Sequence, residues 1–441
     1  MRNTKRNHRS IVVNFAYCAI YLQMAFGPTI FLYLYATLII MLRALLICFF
    51  SGIFIIGLHA ESFSNGKNIL KITKQETPLP ELLISGDSPS QGPGTFHGYA
   101  DSVILHDPDN PNQIWLAYSW PHILTGTNTA GTTVMMAAVS SHLALSTDGG
   151  NTFKFIKELY PAFRIKDPEG SAEEGVFSSE TVSFAVLRQG QESVWFSAHL
   201  RYFLRPLTGY NPKYATSWTV RIGTAASPDK LGSPETVSEE AVLGVSQTSQ
   251  KYSPHILLDR LAGLPIQKCA MLNNPALFVQ NGILYLIVEA LAFNRTTADH
   301  KNTTIQVFGC RPVGKPQSWI WRHIGMLTDH SLTEDLGCDT ILQPEVTHAS
   351  DGRLLLIVTP AVIDNSVQVQ TRGLGCAVLE MDSIDPPRIK RDKNKKPVIR
   401  AVIDNPDYCA CTYDPYSATG ILGHRQRQGT YYTIHATGLR P

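Results

Sequence analysis

The chain has 441 residues, with 38 Lys and Arg against 36 Asp and Glu, a formal net charge of +2. Charged residues make up 17% and hydrophobic ones 44%, the balance of a globular protein long enough to bury a large core. Near-neutrality excludes an electrostatic case for nucleic acid, and the basic run at 388–396 reads as a solvated hairpin tip.

The first sixty residues differ from the rest. Arg2, Lys5, Arg6 and Arg9 precede an apolar span from Ile11 to Ala60, interrupted by Gly27-Pro28 and Arg43. From Met41 the chain reads as a signal peptide: a short basic start, an apolar block at 44–57, and Ala60 at the cut before Glu61. Residues 1–40 are then an upstream extension. The alternative is a membrane anchor, since 29–42 and 44–58 are both apolar. Both readings make 1–60 a leader and 61–441 a single exported domain, secreted, periplasmic or on the cell surface. The membrane is touched only through an uncleaved leader.

Beyond the leader the chain is rich in short β-type runs bounded by Gly, Pro, Asn and Asp, which predicts an all-β domain. Five segments align, beginning at Tyr99-Ala100-Asp101, Ser178-Ser179-Glu180, Leu272-Asn273-Asn274, Ile341-Leu342-Gln343 and Cys411-Thr412-Tyr413. Each precedes a turn and an apolar strand, at 114–118, 194–198, 284–288, 354–358 and 431–435. Third and fourth strands follow in the first four units, and four strands per unit make a propeller blade. The expected fold is a β-propeller of five blades, or six if 209–265 holds another. Residues 68–85 are expected to close the ring by pairing with 431–436.

Cys18 and Cys48 lie in the leader, and six cysteines remain, an even number that permits disulfides in an exported domain. Cys269 with Cys310, and Cys338 with Cys376, would each staple one blade. Cys409-Ala410-Cys411 lacks metal-site spacing, and no phosphate loop or dinucleotide fingerprint appears, so neither metal nor cofactor is expected.

In a propeller the innermost strands line the central channel. The aligned column therefore puts Asp101, Glu180, Asn274, Gln343 with Glu345, and Tyr413 with Asp414 near one axis. Two carboxyl groups facing each other across a pocket can divide acid and base work at a glycosidic bond. Asp101 and Glu180 are the leading candidates, with Glu345 and Asp414 in reserve. The competing reading is that they cap strands and tie blades together through backbone N–H groups. Arg201 and Tyr202, beside His199, end the second strand of the second unit, where they can approach a ligand; Arg201 can equally serve a surface or inter-blade salt bridge. Trp120, with His122, falls on a Gly-, Thr- and Asn-rich stretch read as a loop, 119–131, where an indole can stack on a sugar ring.

One stretch carries a family signature. Ser146-Thr147-Asp148-Gly149-Gly150-Asn151-Thr152-Phe153 has the form Ser-x-Asp-x-Gly-x-Thr-aromatic between two strand patterns. Asp148 can accept turn N–H groups, Gly149 and Gly150 can take positive φ, and Phe153 packs between sheets. The stretch resembles the Asp box of sialidases and related BNR-repeat β-propellers, and Ala226-Ser227-Pro228-Asp229-Lys230-Leu231-Gly232 is at best a degenerate second copy. The resemblance implies a propeller acting on a glycan or glycoconjugate, with Ser146, Asp148, Gly150, Thr152 and Phe153 as structural residues on the rim. The chain departs from sialidases in having one good box. Phe163-Arg164-Ile165 matches only part of their arginine motif and follows the box, where it should precede it. Five blades are instead the number in furanosidase-type glycosidases, whose first blade often opens with an Ala-Asp pair, as Ala100-Asp101 does here. The expected function is an exported exo-glycosidase; the alternative is a non-catalytic propeller that binds glycan or protein.

Overall fold

The computed structural model describes residues 70–73, 79–91, 96–128, 130–166, 174–204, 218–232, 238–244, 256–257, 269–294, 297–298, 303–328, 330–364, 371–427 and 431–441. All belong to the unit Phe63–Pro441. The leader, with Cys18 and Cys48, and the side chain of Cys269 lie outside the described set.

The strands form five sheets. Blade 1 runs outward from Ala100–Asp107 through Asn110–Thr127 and Thr133–Ser146 to Phe153–Tyr160. Blade 2 runs from Glu174–Gln189 through Glu192–Leu204 and Trp218–Ala225 to Ser238–Gly244, with Phe163–Lys166 added beside its inner strand. Blade 3 comprises Cys269–Gln280, Ile283–Asn294, Thr304–Cys310 and Arg322–Met326. Blade 4 comprises Thr340–His348, Leu354–Ile363, Cys376–Ile384 and Ile399–Asp404. Blade 5 comprises Tyr408–Thr412, Leu422–Arg427, Tyr431–Ala436 and the short strand His97–Gly98. This is the expected all-β propeller, with five blades.

Blades stack face to face, so their middle strands are buried on both sides and read as continuous apolar runs, as in the buried Leu354-Leu355-Leu356-Ile357-Val358. One apolar layer fills each junction. Trp115, Leu143, Phe184 and Trp195 join blades 1 and 2, while Leu200, Val220, Leu286 and Phe308 join 2 and 3. Ile287, Val307, Leu356 and Leu379 join 3 and 4, and Ile357, Val378, Tyr408 and Tyr413 join 4 and 5. Ile104, Leu116, Leu422 and Ile434 join 5 back to 1, which closes the ring.

The N-terminal segments cover sheet edges at three places instead of the one expected. Leu70–Thr73 pairs in parallel with Ile399–Asp404 of blade 4, and Ile84–Ser85 with Phe153–Tyr160 of blade 1. The short stretch 79–82 of this region reaches Tyr431–Ala436: Glu81 bridges to His435, Leu82 N–H donates to Ile434 O at 2.8 Å, Ala436 N–H donates to Pro80 O at 3.0 Å, and His435 Nδ1 lies 2.7 Å from Leu79 O. The fourth strand of blade 5 is His97–Gly98, parallel to Tyr431 and Tyr432. Every outer strand is an open edge until something pairs with it, and one segment passing three blades covers three.

The disulfide pairing differs from expectation. Cys376 bonds Cys411, 35 residues apart, so the bond links blade 4 to blade 5 and does not staple one blade. Cys310 and Cys338 are free thiols. Sequence spacing favoured partners within one repeat; stacking places the third strand of blade 4 against the inner strand of blade 5.

The hairpin at 146–153 forms as its residues dictate. Asp148 accepts from Ser146 Oγ at 2.7 Å, Thr152 N at 3.0 Å and Thr152 Oγ1 at 2.7 Å, and these donors hold its carboxyl down at about 2. Phe153 is buried. A similar contact, Ser227 Oγ to Asp229 Oδ1 at 2.5 Å, follows the third strand of blade 2.

Candidate functional site

Every innermost strand carries a β-bulge at the same place. Ladder pairing skips from Ala100↔Ser119 to Val103↔Ala117, from Glu180↔Leu200 to Ser183↔Ala198, and from Asn273↔Glu289 to Ala276↔Ile287. It skips likewise from Leu342↔Thr359 to Glu345↔Ile357 and from Cys409↔His424 to Thr412↔Leu422. The first bulged residue has positive φ in each blade: Asp101 43°, Thr181 55°, Asn274 45°, Gln343 52° and Ala410 46°. None is glycine, and for a β-branched residue such as Thr181 this backbone is costly, so the surroundings must enforce it. The five residues ring one axial cavity of about 50 Å³, room for a few waters.

The enforcing contact comes from the preceding blade. Thr181 N–H donates to Ser119 Oγ at 3.1 Å, Gln343 N–H to Glu289 Oε2 at 3.2 Å, Ala410 N–H to Thr359 Oγ1 at 3.0 Å, and Asp101 N–H to His424 Nδ1 at 3.0 Å. Each of these holders pairs with the residue just before the bulge in its own blade. At the junction of blades 2 and 3 the position is Leu200, which cannot accept.

The aligned column thus contains Asp101, Asn274 and Gln343 in register, while Glu180 stands one residue before Thr181 and Ala410 fills the fifth place. Tyr413 and Asp414 do not. Asp414 is buried at the far end of the inner strand of blade 1, accepting from His106 N at 2.8 Å, His106 Nδ1 at 2.8 Å and Tyr416 N at 2.8 Å. Bulges and turn lengths differ between repeats, so a column aligned on sequence drifts where no bulge is visible.

Three glutamates gather around the channel. Burial pushes Glu180 up to about 8, with the nearby Asp101 charge adding to the shift and a hydrogen bond from Tyr202 Oη, 2.9 Å, opposing it. Burial raises Glu345 to about 8 against donors Thr412 Oγ1, 2.8 Å, and Tyr413 N. Burial raises Glu289 to about 7 against Asn274 Nδ2, 2.7 Å, and Gln343 N. The Asp101 side chain is 20% exposed, with Oδ1 3.3 Å from His424 Nδ1. The site therefore offers a protonated carboxyl, Glu180, in the field of a second acidic group, Asp101. Among the described residues no group of three or more His, Cys, Asp or Glu converges as metal ligands.

The other sequence candidates are placed as follows. Tyr202 holds Glu180. Arg201 is half-buried, its Nε 3.3 Å from Ser179 Oγ and its guanidinium 5.8 Å from the Phe163 ring centre, so it packs inside blade 2. His199 is fully buried and stacked on Tyr160 with ring centres 3.8 Å apart, so it packs between blades 1 and 2. Trp120 is on the strand Asn110–Thr127, not on a loop, because this strand and Thr133–Ser146 extend as one long hairpin. Its Nε1 donates to Ser88 O at 3.0 Å and its ring stacks on His142 at 4.8 Å, so its face is already occupied.

Sequence reasoning missed Glu289, His424 and Cys409. A usable signal existed for the first: Glu289 follows Leu284-Tyr285-Leu286-Ile287-Val288, and a carboxyl in such a run must find partners.

No protein-family model matches the chain, and no curated protein matches it. Among solved structures it is similar to Zg3597, a family 117 glycoside hydrolase from Zobellia galactanivorans, with 12% identity over 81% of this chain and 89% of that one, TM-score 0.40. It is similar to the arabinanase Arb43A of Bacillus subtilis, 10% identical over 78% and 94%, TM-score 0.39. It is also similar to the GH32 β-fructofuranosidase BmSUC1 of Bombyx mori, 9% identical over 77% and 59%, TM-score 0.39.

Proposed function

We propose that the protein is an exported glycosidase that cleaves glycans at the channel mouth, with Glu180 as general acid and Asp101 as the second carboxyl group. The observation that carries this reading is the half-buried Glu180, whose desolvation raises it to about 8 beside Asp101. An acid that keeps its proton at neutral pH can give it to the leaving glycosidic oxygen, while Asp101 either activates water or attacks the anomeric carbon. Tyr202 orients the acid through its 2.9 Å hydrogen bond. Glu345, which lines the cavity with Asp101, is spent on Thr412 and Tyr413, so its part is to position. The Asp-box hairpin supports the sialidase-like branch of this reading, and the Cys376–Cys411 disulfide supports export.

The test is release of reducing sugar from a panel of aryl glycosides and polysaccharides by the wild type, Asp101→Asn and Glu180→Gln. Release by the wild type and loss in both variants supports the proposal. Glycan binding without release by the wild type would make this a binding propeller and overturn it.

A further inference from the structure

Cys409 occupies the position just before the bulge of blade 5, and His424 faces it across the ladder. Cys409 Sγ lies 2.8 Å from His424 Nε2. On the other side of the ring, Nδ1 lies 3.0 Å from the backbone N of Asp101 and 3.3 Å from its Oδ1. His424 is buried, and its two ring nitrogens have different tasks. In the neutral ring, Nδ1 accepts the Asp101 N–H, which leaves the single ring proton on Nε2, aimed at sulfur. In the charged ring, Nδ1–H turns to Asp101 Oδ1 and Nε2–H still points at sulfur. Either way the sulfur faces a donor, and a thiolate there gains a charge-assisted hydrogen bond. Burial and the Asp101 N–H donated to Nδ1 oppose the charged ring, while Cys409 and Asp101 Oδ1 favour it. The other two free thiols are different: burial pushes both Cys310 and Cys338 up to about 12. Cys409 is also partly exposed, next to Ala410 on the channel wall.

The geometry points to Cys409 as a nucleophilic thiol, activated by His424 with Asp101 as orienting partner, that captures small disulfides by thiol–disulfide exchange. Sγ attacks one sulfur of R–S–S–R, the S–S bond breaks, Cys409–S–S–R forms, and RS⁻ leaves to take a proton from water. One disulfide is exchanged for another, so no further oxidant is needed. A chain that holds Cys376–Cys411 belongs to a setting where such disulfides occur. The adduct would stand beside Asp101, so occupancy of the thiol and access to the channel are linked. The inference stands on the thiol's own surroundings and does not depend on the hydrolytic reading.

The experiment follows modification of the full chain by the aromatic disulfide dithiobis(nitrobenzoate) and, separately, by iodoacetamide between about pH 5.5 and 9, with peptide mass spectrometry assigning the modified residue. Cys409 should react first, and its rate at about pH 6 should stay within roughly tenfold of that at about pH 8.5. An ordinary thiol, titrating near 8.5, loses roughly a hundredfold over that interval. His424→Gln should lower the rate at about pH 6 at least tenfold and restore the ordinary profile, leaving Cys310 and Cys338 unchanged. Cys409→Ser should abolish the adduct. The wild-type profile decides alone if His424→Gln does not fold. An ordinary thiol profile at Cys409, or labelling of Cys409 only after denaturation, overturns the proposal.

Discussion

Asp101 donates its backbone N–H to Nδ1 of His424 at 3.0 Å, and this contact joins the last blade to the first by the device that joins three other pairs of neighbours. Ser119 holds Thr181, Glu289 holds Gln343 and Thr359 holds Ala410 in the same way. A bulge turns one N–H out of its own ladder, and a buried N–H needs a partner. The repeated strain and the repeated clasp explain each other. Two of the four holders, His424 and Glu289, are titratable, so protonation reaches the joints of the ring.

Ser119→Ala should leave the Thr181 N–H unpaired in a buried junction. We expect a loss of about 1–3 kcal/mol, read as a lower urea midpoint with the slope unchanged. Thr359→Ala should cost less, because Ala410 N–H also reaches Gln343 Oε1 at 3.0 Å.

If Glu180 is the acid, hydrolysis requires its proton, so kcat/KM should fall as pH rises through about 8. Glu180→Gln should lower the rate by about 10²–10⁴. The Tyr202 hydrogen bond favours the ionised form of Glu180, so Tyr202→Phe should move the alkaline limb to higher pH. A residue that only packs would leave that limb in place.

Stability should fall as pH rises from about 5 to 9. Glu180 and Glu345 are raised from 4.5 to about 8 and Glu289 to about 7, so between these values the folded chain binds protons that the unfolded chain has released. Below about 4 the trend reverses as Asp148 and Asp87, both lowered, lose their folded-state advantage. Thermal unfolding across this range checks the sign, and Glu289→Gln, which keeps an acceptor without titrating, should flatten the slope.

Cys376→Ser should cost about 4 kcal/mol on the chain-entropy account for a loop of 35 residues. A peptide map without reductant should show Cys376 joined to Cys411. A map joining Cys338 to Cys376 would restore the within-blade pairing.

Period and turn chemistry made the fold legible. Middle strands buried on both faces must be apolar throughout, and a Ser-x-Asp-x-Gly-x-Thr turn hydrogen-bonds within itself, so both leave marks in a single stretch of chain. Asp101, Asn274 and Gln343 could be placed on one axis because their repeats carry recognisable lead-in residues. Thr181 and Ala410 could not, because a bulge shifts register by one residue without altering composition.

By itself, then, the sequence determined an all-β propeller of four-stranded blades, and its repeats put Asp101, Asn274 and Gln343 in one column. Only the tertiary structure decided that Cys376 bonds Cys411, that the N-terminal segments cover three edges, that Trp120 and His199 are occupied by aromatic partners, and that Cys409, His424 and Asp101 meet. The physical reason is range. Strand patterns and turns are set by neighbours a few residues away, whereas disulfides, clasps and proton affinities depend on which faces the closed ring presses together, in the last case across more than three hundred residues between Asp101 and His424.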